Sequence, residues 1–192
     1  EMIGPFFGGR NTELDEISNY AGVQDAVGTL ESLRRGYEAV FSLHARPPMF
    51  VYGPGGVGKS TLIAKFIIMH AEKAEQQERF PYAYLDFDRA SLIPQEPITL
   101  LLEAIRQIGL QYAHISDDGL RLQGEWRERM AKQDTIRQSG TARGPFRLEN
   151  REFYLESFTG FINQLKLEQQ PLLLVLDTFE EVQYRAASYV PE

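Results

Sequence analysis

Cysteine is absent from all 192 residues. That excludes disulfides and thiolate-bound metals, and it mildly favours a reducing, cytoplasmic setting. Histidine is scarce: His44, His70 and His114 stand far apart, and none forms a pair at metal-ligand spacing. No apolar run approaches the ~20 residues needed to span a bilayer. The opening "EMIGPFFGGR" also lacks the basic-then-apolar pattern of a signal peptide. No membrane partner is expected, and because the first residue is Glu1, a preceding segment is expected. Positive charge is in deficit, with 20 Lys and Arg against 27 Asp and Glu, a formal net charge of -7. Bulk attraction to nucleic acid is therefore not expected. There is no internal repeat and no G-x-S-x-G nucleophile motif. What remains is a globular composition, 43% hydrophobic and 24% charged, of ordinary domain size.

The informative stretch is "VYGPGGVGKST", Val51 to Thr61. It fits G-x-x-x-x-G-K-[ST] through Gly53, Gly58, Lys59 and Ser60. Glycines permit φ > 0 and let the backbone approach a ligand with no Cβ in the way. Successive N–H groups from Gly53, Pro54, Gly55, Gly56, Val57 and Gly58 onward (Pro54 itself has none) can then line a concavity for phosphates. The helix that starts there adds the positive end of its dipole. Lys59 is expected to reach the terminal phosphates. Ser60 is expected to offer its oxygen to Mg²⁺, with Thr61 spare or supporting the loop. Gly53, Gly55 and Gly58 also satisfy the dinucleotide fingerprint G-x-G-x-x-G. That motif wants an acidic residue about 20 positions on, and Asp86 and Asp88 lie farther away. It also leaves Lys59 and Ser60 without a purpose.

Periodicity sets the surroundings. "NTELDEISNYAG" reads as a helix capped by Asn11, and a second helix runs from about 29 to 43. "MFVYG" reads as a short buried strand before the loop. "KSTLIAKFIIMHAEKAEQQE" reads as a helix with Leu62, Ile63, Phe66, Ile67 and Met69 inward. "YAYLDFD" alternates as a strand ending near Asp88, and "ITLLLEAIRQIGLQY" is a helix. From about 114 to 150 the chain reads as an irregular basic insertion, helical around "EWRERMAKQDTIR". Eight basic and four acidic residues fall between Arg121 and Arg151. Trp126 and Phe146 interleave with that charge, which is compatible with nucleic acid, but a solvated or protein-docking surface is the favoured reading. A helix from about 152 to 168 precedes "PLLLVLD", whose apolar run suits a parallel strand covered on both faces.

Strand, helix, strand, helix, strand is the order of a parallel α/β sheet. Asp177 closes the last strand, where a carboxylate can hold Mg²⁺ through water as the acidic partner of Ser60. Hydrolysis also needs an acceptor to orient water. Thr178 occupies the position where many enzymes of this class carry Glu, and Glu180 and Glu181 follow. Either can serve, Glu180 being nearer, or both are solvated residues of a starting helix.

"FFGGR" with a following "TEL" helix, then "GPGGVGKST", then "LLLVLDTFEE", resembles the STAND branch of P-loop NTPases, relatives of AAA+ and origin-recognition-like ATPases. The resemblance implies an α/β P-loop NTPase fold of three layers, a parallel sheet with helices on both faces, incomplete in this chain. Residues 1–45 would be a helical lead-in and 46–192 part of the P-loop core. It implies that Gly9 and Arg10 lie near the nucleotide, with Phe7 as a wall. It also implies that a later strand, a polar sensor and an arginine element follow beyond Glu192. The expected function is an ATP- or ADP-binding, slowly hydrolysing, Mg²⁺-dependent switch. It would act on protein partners or form a homo-oligomer through further domains. The alternatives are a nucleotide-binding scaffold without turnover and a small-molecule phosphotransferase.

Overall fold

Leu14, Ile17 and Ala21 recur at the spacing of one helix face, and they are the buried residues of α1, Asn11–Ala21. A computed structural model of the chain describes residues 10–21, 47–71, 80–94, 96–138, 148–165 and 172–182. These fall into two units, residues 1–80 and 81–192, which are described separately. The helix expected at 29–43 lies outside the described residues.

In the first unit, α1 packs on α2, Lys59–Ala71. Arg10 rather than Asn11 takes the cap position of α1, because the Leu14 N–H donates to the Arg10 carbonyl at 3.1 Å. Leu62, Phe66, Ile67 and His70 are buried along α2. Met69, expected inward, is 51% exposed, since one helix face has room for only part of so apolar a run. The His70 ring fills the inward position instead, packed on Phe66 at 4.7 Å and Phe80 at 5.6 Å. Residues 47–53 form no strand, contrary to the expectation from "MFVYG". Phe50 is 73% and Tyr52 92% exposed. A strand needs a ladder partner for its N–H and C=O groups, and the first unit has no other strand among its described residues.

The second unit holds the sheet. Strand β1, Tyr82–Asp86, pairs in parallel with β2, Leu173–Asp177. Ala83 and Leu85 are buried while Tyr82, Tyr84 and Asp86 are half-buried, the two-residue alternation of a strand. β1 stops at Asp86, short of Asp88. There the Arg89 N–H turns back to the Asp86 carbonyl at 3.1 Å, and the Asp86 carboxylate accepts the Asp88 N–H at 3.1 Å. β2 departs from the fully buried strand expected of its composition. Leu174 and Leu176 are 48% and 47% exposed. Among the described residues the sheet has two strands, so β2 is paired along one edge only.

Among the described residues this unit also holds three α-helices: α3, Pro97–Gln111; α4, Ser116–Gln138, entered through the 3-10 turn Ala113–Ile115; and α5, Leu148–Asn163. Proline at the first position suits the start of α3, where its missing N–H has no partner to lose. α3 packs on β1, and α4 and α5 pack on α3. The expected irregular insertion is, over 116–138, one continuous helix. Its aromatic lies in the core: Trp126 is 0% exposed, edge-on to Tyr154 at 4.8 Å. It cannot stack on a base from there. Phe146 lies outside the described residues. Arg129 does reach an aromatic, lying 4.1 Å over the ring of Phe153 on α5. Burial pushes the Tyr154 hydroxyl above its ordinary pKa, partly offset by the nearby Arg129.

Candidate functional site

In the first unit the glycine loop runs directly into α2. Gly56 and Gly58 have φ of 75° and 88°, left-handed values that side chains with a Cβ disfavour. The Leu62 N–H bonds to the Gly58 carbonyl at 2.9 Å, which makes Gly58 the cap of α2. The N–H groups of the first turn, from Lys59 onward, therefore have no acceptor within the helix and face the loop. A Cβ built on Gly55, Gly56 or Gly58 would meet nothing within 4 Å, so the space beside the loop is open. Ser60 and Thr61 stand half-buried on the first turn.

Two cations are already seated on this loop. The Lys59 ammonium donates to the carbonyls of Gly53 at 2.9 Å and Pro54 at 3.2 Å. The Arg10 guanidinium, from 47 residues earlier, donates to the Val57 carbonyl. α1 delivers Arg10 there by packing on α2, and the Tyr20 hydroxyl donates to the Pro47 carbonyl at 2.8 Å. Arg10 therefore sits on the loop's backbone at Val57. Gly9 and Phe7 lie outside the described residues.

In the second unit Asp177 ends β2 directly opposite Asp86, its cross-strand partner. Its carboxylate accepts from the Tyr84 hydroxyl and, at 2.9 Å, from the Thr178 N–H. Thr178 has φ 54°, rare for a β-branched residue. That turn brings its hydroxyl to Asp86 Oδ1 at 3.2 Å. Arg89 lies 4.0 Å from both Asp86 and Glu103. Glu103 is held below the usual carboxylate range, chiefly by its hydrogen bond from Arg106, with burial opposing. Glu180 is exposed and Glu181 half-buried on the turn after Thr178, where the Glu181 N–H bonds to the Thr178 carbonyl at 3.0 Å.

Within each unit the predicted residues gather: Arg10 with Gly53–Thr61 in one, Asp177 with Glu180 and Glu181 in the other. The sequence reading missed Tyr84 and Asp86 as neighbours of Asp177, and the contact of the Thr178 hydroxyl with Asp86. One signal was present: "YAYLD" and "LLVLD" are both five-residue strands ending in aspartate, and in-register parallel pairing sets the two carboxylates side by side.

A model of the AAA ATPase domain matches residues 28–189. No curated protein and no solved structure matches the chain significantly. The matched span takes in the glycine loop, both strands and Asp177, and it begins after Arg10.

Proposed function

Because this chain belongs to the AAA ATPase domain family, whose fold is the α/β P-loop fold, we propose that it is an ATP-binding switch with slow turnover. Gly53 to Thr61 would cradle the phosphates, and Lys59 would exchange its two carbonyl contacts for terminal phosphate oxygens. The observation that carries the reading is the loop itself, with left-handed Gly56 and Gly58 leading into the first-turn N–H groups of α2. The Ser60 hydroxyl and the Asp177 carboxylate are the hard oxygen donors that Mg²⁺ takes. Among the described residues no cluster of three or more His, Asp or Glu could hold a metal alone. Phosphate and water oxygens would complete the ligand set of Mg²⁺, which when bound neutralises charge on the phosphates.

Arg10, held at the Val57 carbonyl, supports the narrower STAND reading, in which nucleotide state is passed to protein partners or a homo-oligomer. Glu180, Glu181 or Asp86 would orient the attacking water. Thr178 in place of a glutamate favours a second reading, a nucleotide-binding scaffold without turnover. No helix among the described residues is long and apolar enough to cross a membrane.

Calorimetric titration with ATP, with and without Mg²⁺, tests the proposal. Saturable binding strengthened by Mg²⁺ is expected, and no binding at millimolar ATP would refute it. Phosphate release separates the two readings.

A further inference from the structure

β1 has two edges, and β2 occupies one. The pairing turns alternate residues toward β2: the Leu173 N–H donates to the Pro81 carbonyl at 3.0 Å, and the Phe87 N–H to the Asp177 carbonyl at 3.1 Å. Tyr82 and Tyr84 then aim their N–H and C=O groups the other way, as an edge strand must. Two glutamines of α3 meet them. Gln107 Oε1 accepts the Tyr84 N–H at 2.8 Å, and its Nε2 donates to the Tyr84 carbonyl at 2.8 Å. Gln111 does the same for Tyr82, at 3.2 Å and 2.7 Å.

The match has a geometric basis. Four residues of helix rise about 6.0 Å and two residues of strand about 6.6 Å. An i, i+4 pair on an antiparallel helix can therefore follow an i, i+2 pair on a strand. Each amide also spends its second proton. Gln107 donates to Glu103 at 2.8 Å, and Gln111 donates to the Gln107 carbonyl at 3.0 Å. Neither glutamine amide keeps a proton free to attract another chain. The edge is not shielded by bulk. A cleft of about 300 Å³ lies along it, lined by Tyr82, Tyr84, Arg89, Arg106 and both glutamines. An apolar residue at 107 or 111 would leave these backbone groups facing that cleft unpaired.

We propose that Gln107 and Gln111 act as a surrogate strand that closes the outer edge of β1 against pairing with a second copy of this chain. The test uses Gln111→Met alone and Gln107→Met with Gln111→Met, since methionine keeps the length and helix propensity of glutamine. Hydrogen exchange is read residue by residue, and sedimentation is followed across concentration. Gln111→Met should speed exchange at the Tyr82 amide about tenfold, the loss of one ordinary hydrogen bond, and leave Tyr84 unchanged. The double variant should do so at both amides and associate more than wild type. Unchanged Tyr82 exchange, or faster exchange without added association, overturns the proposal. Should the double variant fail to fold, Gln111→Met decides: faster Tyr82 exchange with association above wild type supports the proposal, and faster exchange without it overturns it. Neither involves nucleotide, so the outcome is independent of the proposed function.

Discussion

Replacing Lys59 by alanine tests the loop most directly. In the free loop the ammonium is not idle: it holds the carbonyls of Gly53 and Pro54 at 2.9 and 3.2 Å. Nucleotide binding would trade these neutral acceptors for charged phosphate oxygens. A charge-assisted hydrogen bond contributes about 1.5–3 kcal/mol, and part of that gain is offset by the two carbonyl contacts given up. The net loss on truncation should be about 1.4–2.7 kcal/mol, a ten- to hundredfold rise in Kd. The effect should shrink with added salt, because part of it is a charge–charge attraction that salt screens. Calorimetry with ATP at two salt concentrations measures both. Lys65→Ala is the control: it removes the same charge from the same helix six residues on, and it should leave the affinity near wild type. Unchanged affinity in Lys59→Ala, or an equal loss in Lys65→Ala, would refute the role given to the loop.

Asp177→Asn should spare ATP binding more than Lys59→Ala does and remove most phosphate release. A variant with wild-type turnover would make Asp177 structural. Trp126→Ala should destabilise the second unit by about 3–5 kcal/mol, the cost of emptying a large buried site, and denaturant unfolding checks it. A loss below about 1 kcal/mol would place Trp126 at the surface. The Glu103–Arg106 pair predicts a pH dependence. The folded pKa of Glu103 is depressed, so its contribution is present above the ordinary carboxylate value of 4.5 and is lost as pH falls through the folded pKa. Arg106→Gln should therefore lower Tm at pH 7, and the difference from wild type should shrink as pH falls from 4.5 through the lowered folded pKa of Glu103. A difference that persists undiminished in acid would refute the pairing.

The local elements were legible in the sequence because their causes are local. Gly56 and Gly58 precede Lys59 in a pattern that only a φ > 0 turn into a helix accommodates. Alternation in "YAYLD" and the 3.6-residue spacing of Leu14, Ile17 and Ala21 follow from backbone geometry alone. Asp177 was identifiable as the end of an apolar run. The errors share one origin: burial and pairing depend on partners that a single segment does not encode. "MFVYG" has the composition of a strand, but residues 47–53 form none, because a strand is defined by a neighbour's hydrogen bonds. Trp126 sits in a charged, polar stretch, and only the folding of α4 against α5 turned it inward onto Tyr154. The juxtaposition of Asp86 with Asp177, 91 residues apart, required the register of two parallel strands. So did the seating of Gln107 and Gln111 on the backbone of β1, where tertiary packing alone brings a helix face to a strand edge.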